Sequence, residues 1–222
     1  MKRTARSRLF LLVIATVLVI APLTLQPSTA NAEAVFSPEK TETLYVDDLS
    51  DDDARERINA VLSDPTVTEV VVIDESLRGA ERDGESLVVE PYAAYTVKNR
   101  RYNGLLTGTR TLAVATGRPG DTLTITQTKS VSNSYSCSAS VSTSLISACV
   151  GFTVTASESI GISGSAVVPY TVGSREVSSM NLIANPTYDY YSYDVYQGSS
   201  FVTTGTAQHA IGVSFRKTYS YK

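Results

Sequence analysis

Histidine and cysteine are scarce in this 222-residue chain, which contains one histidine, His209, and two cysteines. One imidazole and two thiols leave too few ligands for the usual kinds of zinc site. No G-x-S-x-G elbow or comparable motif places a nucleophilic serine beside that histidine, as a Ser-His-Asp mechanism requires. Carboxylates are numerous, but sequence alone brings no two of them to a working distance. The sequence therefore predicts a protein that is not an enzyme and that holds no metal or cofactor.

Long hydrophobic runs are missing beyond the N terminus. Residues 1–32 have the pattern of a secretory signal peptide, with basic residues first, an apolar stretch over 9–21 and an Ala-Asn-Ala cleavage site at 30–32. Pro22 ends the apolar stretch short of the ~20 residues that a membrane-spanning helix needs, so an uncleaved anchor is the weaker alternative. We expect a secreted, extracellular protein whose mature chain begins at Glu33.

Charge is distributed unevenly along the chain. Residues 33–90 contain 17 acidic and 5 basic side chains, whereas residues 91–222 contain 5 acidic and 10 basic ones. The overall acidic balance argues against nucleic acid as a partner, while the mildly basic second half is compatible with anionic surfaces. The change near Pro91 predicts an acidic segment over 33–90 followed by an antiparallel β domain over 91–222.

The acidic segment has the pattern of a small β-α-β unit. Strand patterns over 44–46 and 67–73 flank a helical pattern that begins with Ser50 as N-cap and ends at Pro65. The aspartates at 47–48 and 51–53 could alternatively be a calcium site, but they lack the ligand spacing and the central glycine of a calcium loop. Helix capping is the preferred interpretation.

Every even-numbered residue from Thr122 to Ser144 is Thr or Ser. A period of two places these side chains on one face of a β-strand, which would span about 75 Å if it were straight. Other strand patterns lie over 87–89, 94–98, 109–115, 178–184, 188–196 and 211–219. The predicted fold is mainly β: an elongated antiparallel sheet with a long Ser/Thr-rich hairpin and the small N-terminal β-α-β segment.

The two cysteines suggest how the hairpin pairs. In an exported protein, Cys137 and Cys149 are expected to form a disulfide across two antiparallel strands. A β-bulge at Val150-Gly151 then keeps the hydroxyl faces aligned and sets Lys129 opposite Glu158, so that 120–136 pairs with 150–168 and 138–148 forms the tip. A two-residue turn at 145–146 is the main competing register.

The hydroxyl face has three interpretations, of which the simplest is the wetted side of a sheet. The second is a membrane-inserting hairpin, since a lipid-spanning strand alternates apolar and polar residues over about 9 to 11 positions. Gln127, Lys129 and Asn133 interrupt the apolar face, so insertion is expected only near the tip. The candidates for lipid contact are Tyr135, Ala139, Val141, Leu145, Ile146, Val150 and Phe152.

Several of these segments together resemble a known family. The alternating strand, the hairpin through 150–152, the return strand ending at 167–169 and the tyrosine-rich segment 188–196 are similar to the sheet domain of aerolysin-type β-pore-forming toxins, including the epsilon-toxin and mosquitocidal-toxin group. They also resemble small uncharacterised secreted proteins of Gram-positive bacteria. The resemblance implies a soluble monomer that oligomerises on a target-cell membrane, or on a surface receptor there, and lines a pore with Ser and Thr.

The third interpretation is an extracellular binding or adhesion module that uses the hydroxyl face or a tyrosine-rich strand. Tyr188, Tyr190, Tyr191 and Tyr193 could form a stacking platform, because tyrosine combines an apolar ring with a polar tip. Ordinary packing of tyrosines on a sheet explains the same pattern. The expected function is therefore membrane interaction or pore formation through the hairpin, with extracellular binding as the alternative.

Overall fold

The described part of the chain is mainly β-structure, as the sequence predicts. The computed structural model describes residues 40–49, 51–78 and 94–222. The predicted signal peptide, the Ser50 cap, the strand over 87–89 and the boundary at Pro91 lie outside these residues. In chain order the elements are β1 (Lys40–Val46), α1 (Asp52–Leu62), β2 (Val67–Asp74), α2 (Glu75–Arg78), β3 (Thr96–Thr107), β4 (Ala113–Gly117), β5 (Thr122–Ser132), β6 (Ser134–Ser136), α3 (Thr143–Val150), β7 (Ser157–Val167), β8 (Thr171–Val172), β9 (Arg175–Gln197) and β10 (Ser200–Tyr221).

Two sheets organise these strands. The larger has the order β1-β2-β10-β9-β3, with β4 and β8 also paired to β9 and β6 paired to β10. The first two strands are parallel and joined by α1, which is the predicted β-α-β unit. Strand β2 also pairs antiparallel with residues 212–216 of β10, so the acidic segment joins the same sheet as the late strands. The smaller sheet consists of β5 and β7.

Helix α1 begins and ends with specific caps. Asp51 is the N-cap, and its carboxylate accepts the backbone N–H of Asp53 at 3.4 Å. At the other end, the Lys217 amine donates to the carbonyls of Leu62 and Asp64 at 3.0 and 2.6 Å. Burial lowers the pKa of Lys217 to about 8.

Among the described residues, no group of three or more His, Cys, Asp and Glu is arranged to bind a metal ion.

The β5–β7 ladder packs its apolar face on the main sheet and on α1. Leu123, Ile125, Ile160 and Ile162 are buried in one core cluster with Phe215, Ile58, Leu62 and Val213. Close approach at the centre of this interface requires glycine: a Cβ at Gly164 would lie 2.9 Å from the Phe215 ring and 3.0 Å from Leu62 Cδ1. Side-chain packing therefore attaches the ladder to the rest of the fold.

We predict that Gly164→Ala lowers the free energy of unfolding by about 1–3 kcal/mol, because the added methyl group overpacks this contact. Gly161→Ala on the same strand is the control, since its Cβ would meet Leu49 Cβ at 3.4 Å, an ordinary van der Waals distance. The control should change stability by less than about 0.5 kcal/mol. Urea denaturation measures both values. Equal effects at the two glycines would contradict the described packing.

Candidate functional site

The hydroxyl face predicted for the long strand is exposed in the structure. All Ser and Thr residues at even positions from Thr122 to Ser144 are exposed, while Leu123, Ile125 and Val131 on the opposite face of β5 are buried. Strand β7 adds serines to the same face. Two cross-strand hydroxyl pairs link the strands, Thr124 with Ser165 at 3.2 Å and Ser132 with Ser157 at 2.9 Å. The ladder is thus amphipathic on both strands.

The register of the ladder differs from both predicted registers. Thr122 pairs with Val167 and Ser132 with Ser157. This register is shifted by two residues from each of the two predicted registers. A shift of two residues keeps every side chain on its face, so the two faces follow the prediction although the pairs do not. Lys129 lies opposite Ile160, and the predicted Lys129–Glu158 pair is therefore wrong.

The predicted β-bulge is also wrong, and the reason is a helix. Val150 is the last residue of α3, and Gly151 is its C-cap, with a φ of +89° in the left-handed region. Glycine adopts this conformation without the steric penalty of a Cβ atom. The glycine thus ends a helix here and does not form the bulge of a strand.

No disulfide joins the two cysteines, both of which are described. Cys137 follows β6, which pairs with β10, whereas Cys149 lies in α3. They are therefore not opposite positions of one hairpin, and the predicted cross-strand disulfide is wrong. Both thiols instead pack against the cluster that contains Tyr193. Burial, and then the neighbouring Cys137, raise the pKa of Tyr193 above its ordinary value.

The predicted hairpin tip is a loop followed by α3. Ser142 is the N-cap of this helix, and its hydroxyl accepts the N–H of Leu145 at 3.4 Å. Leu145, Ile146 and Val150 are buried, Ala139, Val141 and Phe152 are partly buried, and Tyr135 on β6 is 42% exposed. The helix packs mainly on Tyr193, Val195 and Ala207 of the long strands. A role of these residues in lipid contact stays a prediction.

Polar contacts hold this segment, residues 133–156, both to its surroundings and internally. Arg100 donates to the carbonyl of Val150 at 3.1 Å, at the C-terminal end of α3, where a positive charge is favourable. Ser138 donates to the Thr203 hydroxyl at 3.0 Å. Within the segment, the N–H of Val154 donates to the Ser147 hydroxyl at 3.2 Å.

A polar cluster lies where the ladder meets the segment. The Asn133 N–H donates to the Ala156 carbonyl at 2.9 Å, and its side chain accepts from the Ala210 N–H at 2.9 Å. The same side chain donates to Thr153 O and Glu158 Oε1, both at 3.1 Å. Asn133 is 5% exposed, and its side chain satisfies the N–H of Ala210, which is itself buried.

His209 is the other member of this cluster, although no sequence motif indicated a role for it. Its Nε2 lies 3.6 Å from Glu158, and its ring stacks on Phe152 with centroids 4.5 Å apart. Burial lowers the pKa of His209, while Glu158 and the nearby Asp189 act in the opposite direction. The sequence contained one sign of this cluster: Asn133 is a polar residue on the otherwise apolar face of the alternating strand.

The four candidate tyrosines do not share one exposed face. Tyr193 is fully buried, and Tyr191 lies between the rings of Tyr102 and Phe152, with centroids 5.4 and 5.9 Å away. Tyr188 and Tyr190 are half-buried, and Tyr188 packs against the larger core cluster. The four tyrosines therefore do not form one platform, because consecutive residues of β9 point to opposite sides of the sheet. Binding by any one of them stays a prediction.

No protein-family model matches the chain, and a search of the curated proteins finds no relative. None of the helices in the described residues is long and apolar enough to cross a bilayer. The likeness to aerolysin-type toxins stays a prediction.

We predict that lowering the pH from 7.5 to 5 destabilises the protein through His209. The unfolded chain, with a His pKa near 6.5, binds a proton more readily than the buried imidazole does. The stability that the neutral His209 contributes is present above pH 6.5 and is lost as the pH falls through and below that value.

Urea denaturation of the wild type and His209→Gln at the two pH values measures the difference. The glutamine variant should show a smaller loss of stability on acidification, whatever its stability at pH 7.5. An unchanged pH dependence in the variant would assign the effect to other groups.

Proposed function

We propose that this protein forms membrane pores by inserting residues 133–156 as the end of a hairpin whose base is the β5–β7 ladder. The observation that carries the proposal is the register of the ladder. When this register is continued past Ser132 and Ser157, it remains compatible with the residue pattern up to the turn. The segment that folds as β6, a loop and α3 thus also has the sequence of a continued hairpin.

The continued register sets Tyr135 opposite Val154 and Thr143 opposite Ile146. One face then carries mostly apolar side chains. The other face carries only Ser, Thr and Gly residues, together with Cys149. The apolar face consists of Tyr135, Cys137, Ala139, Val141, Thr143, Ile146, Ala148, Val150, Phe152 and Val154. Residues 135–143 and 146–154 contain no charge, and each stretch has the length of about nine residues that a lipid-spanning strand requires. Such a hairpin would place hydroxyl groups toward water and apolar groups toward lipid.

The ladder itself is suited to remain outside the hydrocarbon. Its packed face includes Gln127, Lys129 and Glu158, and a charged side chain in the middle of a bilayer costs about 2–4 kcal/mol for Lys and less for Glu. Among the described strands, β5 and β7 pair with each other and not with the larger sheet. The ladder therefore supplies a preformed stem and a template for the strands that follow.

The rearrangement exchanges one apolar environment for another. Helix α3 has eight residues, too few for a helix that is stable without tertiary contacts. Its stability depends on the packing of Ile146 and Val150 and on the contact with Arg100. Both apolar side chains would face lipid in the continued hairpin, so their removal from water is retained.

We predict that Val141→Asp abolishes dye release from liposomes, because its carboxylate would face hydrocarbon, where it costs free energy. Ser140→Asp is the matched control. Its side chain is exposed in the described fold and would face water in the pore, so this variant should still release dye.

Thermal denaturation followed by circular dichroism shows whether the partly buried Val141 tolerates the change. Ala139→Asp, at another partly buried position of the same face, is the second test if it does not. Equal leakage from the Val141 and Ser140 variants would contradict the proposed faces. A wild type that binds an extracellular ligand but releases no dye would favour the alternative, a binding module that uses the exposed hydroxyl face.

A further inference from the structure

The turn between β9 and β10 exposes apolar side chains. Phe201 is 57% and Val202 is 42% exposed, immediately after the turn at Gly198 and Ser199. The register between β9 and β10 shifts by one residue between Phe201 and Thr203, so Val202 is the additional residue of a β-bulge. Tyr196 lies edge-on to Phe201, with ring centroids 5.8 Å apart. Phe201 is thus in contact with a half-buried tyrosine, and Val202 is the next residue along the chain.

One basic side chain contacts this apolar group, and two more follow it in β3. The Lys98 amine lies 4.8 Å from the centre of the Tyr196 ring, and Arg100 and Arg101 follow it on β3. Within residues 94–107, 133–156 and 190–208, Asp194 is the one acidic residue. Its carboxylate accepts both guanidinium N–H groups of Arg101, at 2.6 and 2.9 Å, and bonds from Asn99 and Thr204, both at 3.0 Å. Lys98 and Arg100 are the basic residues in excess.

We propose that this surface, formed by Lys98, Arg100, Tyr196, Phe201 and Val202, docks onto an anionic lipid bilayer. Phe201 and Val202 enter the boundary between headgroups and acyl chains, and Tyr196 lies at headgroup level, as amphipathic rings do at membrane interfaces. Lys98 and Arg100 contact lipid phosphates, to which basic side chains near a negatively charged membrane are attracted. The excess of positive charge selects an anionic surface over a neutral one.

The inference rests on the proposed pore formation, because docking here brings the inserting segment to the lipid. Ser138 and Thr203 are in contact through their hydroxyl groups, and α3 packs on residues of β3 and β9. Arg100 belongs to both features, since it donates to the last carbonyl of α3. A lipid phosphate that binds Arg100 competes with this carbonyl and weakens one of the contacts of the helix.

Co-sedimentation with phosphatidylcholine vesicles, with and without phosphatidylglycerol, tests the proposal. The wild type should bind the anionic vesicles at least about tenfold more tightly, and added salt should weaken that binding. The double variant Phe201→Ser, Val202→Ser should lose most of the binding. Its control is Val114→Ser, Val167→Ser, which removes two apolar residues of similar exposure, 54% and 53%, and should bind as the wild type does.

The charge is tested in the same way. Lys98→Glu should weaken binding to anionic vesicles, whereas Lys222→Glu, a control with a lysine side chain that is 65% exposed, should not. No binding by the wild type, equal binding to both vesicle types, or equal effects of test and control variants would overturn the docking surface. Dye release is measured separately: a wild type that binds anionic vesicles without leakage contradicts pore formation and leaves docking intact, and Val141→Asp should bind without releasing dye.

Discussion

Pairing between β9 and β10 is the interaction on which the rest of the structure depends. These strands have 23 and 22 residues, and β2, β3, β4, β6 and β8 all pair with one or the other. The ladder and α1 then pack on one part of this pair, and α3 packs on another. Long-range hydrogen bonding by two strands near the C terminus thus provides two separate apolar surfaces. The first stabilises the hydroxyl-faced ladder, and the second stabilises the segment between its strands.

The segment over 133–156 shows how tertiary contacts override a local pattern. Alternation of polar and apolar residues predicts strand there, yet β6 is short and α3 is helical. Residues 134–136 pair with the edge of β10, and burial of Ile146, Val150 and Val154 against Tyr193 favours the helix. The helix leaves Ser144 exposed, and Ser142 caps it by accepting the Leu145 N–H. In the proposed hairpin, Ile146, Val150 and Val154 would again be removed from water, by lipid and not by the long strands.

The sequence predicts those parts of the fold that depend on local periodicity. Helix α1, the parallel β1–β2 pair and the two faces of β5 and β7 follow from residue spacing, and the structure confirms them. The register was not predictable, because shifts of two residues leave each face unchanged and only contacts such as Gly164 with Phe215 distinguish them. The disulfide was predicted from the spacing of Cys137 and Cys149, which does not reveal that a helix intervenes. His209 and Arg100 were missed because their partners are distant in sequence.

The polar cluster at Asn133 defines where the two arrangements would diverge. Asn133, Glu158 and His209 connect the ladder to β10, while Phe152, stacked on the histidine, belongs to the segment. A buried polar group is costly unless it has partners, so this cluster favours one alignment of the ladder on the sheet. Beyond it, β6 pairs with β10, Ser138 bonds to Thr203 and Arg100 holds the end of α3, while the remaining contacts of 133–156 are mainly apolar. The proposed rearrangement would break these polar contacts, whereas lipid could replace the apolar ones. We therefore infer that the polar contacts set most of the free-energy cost of releasing the segment.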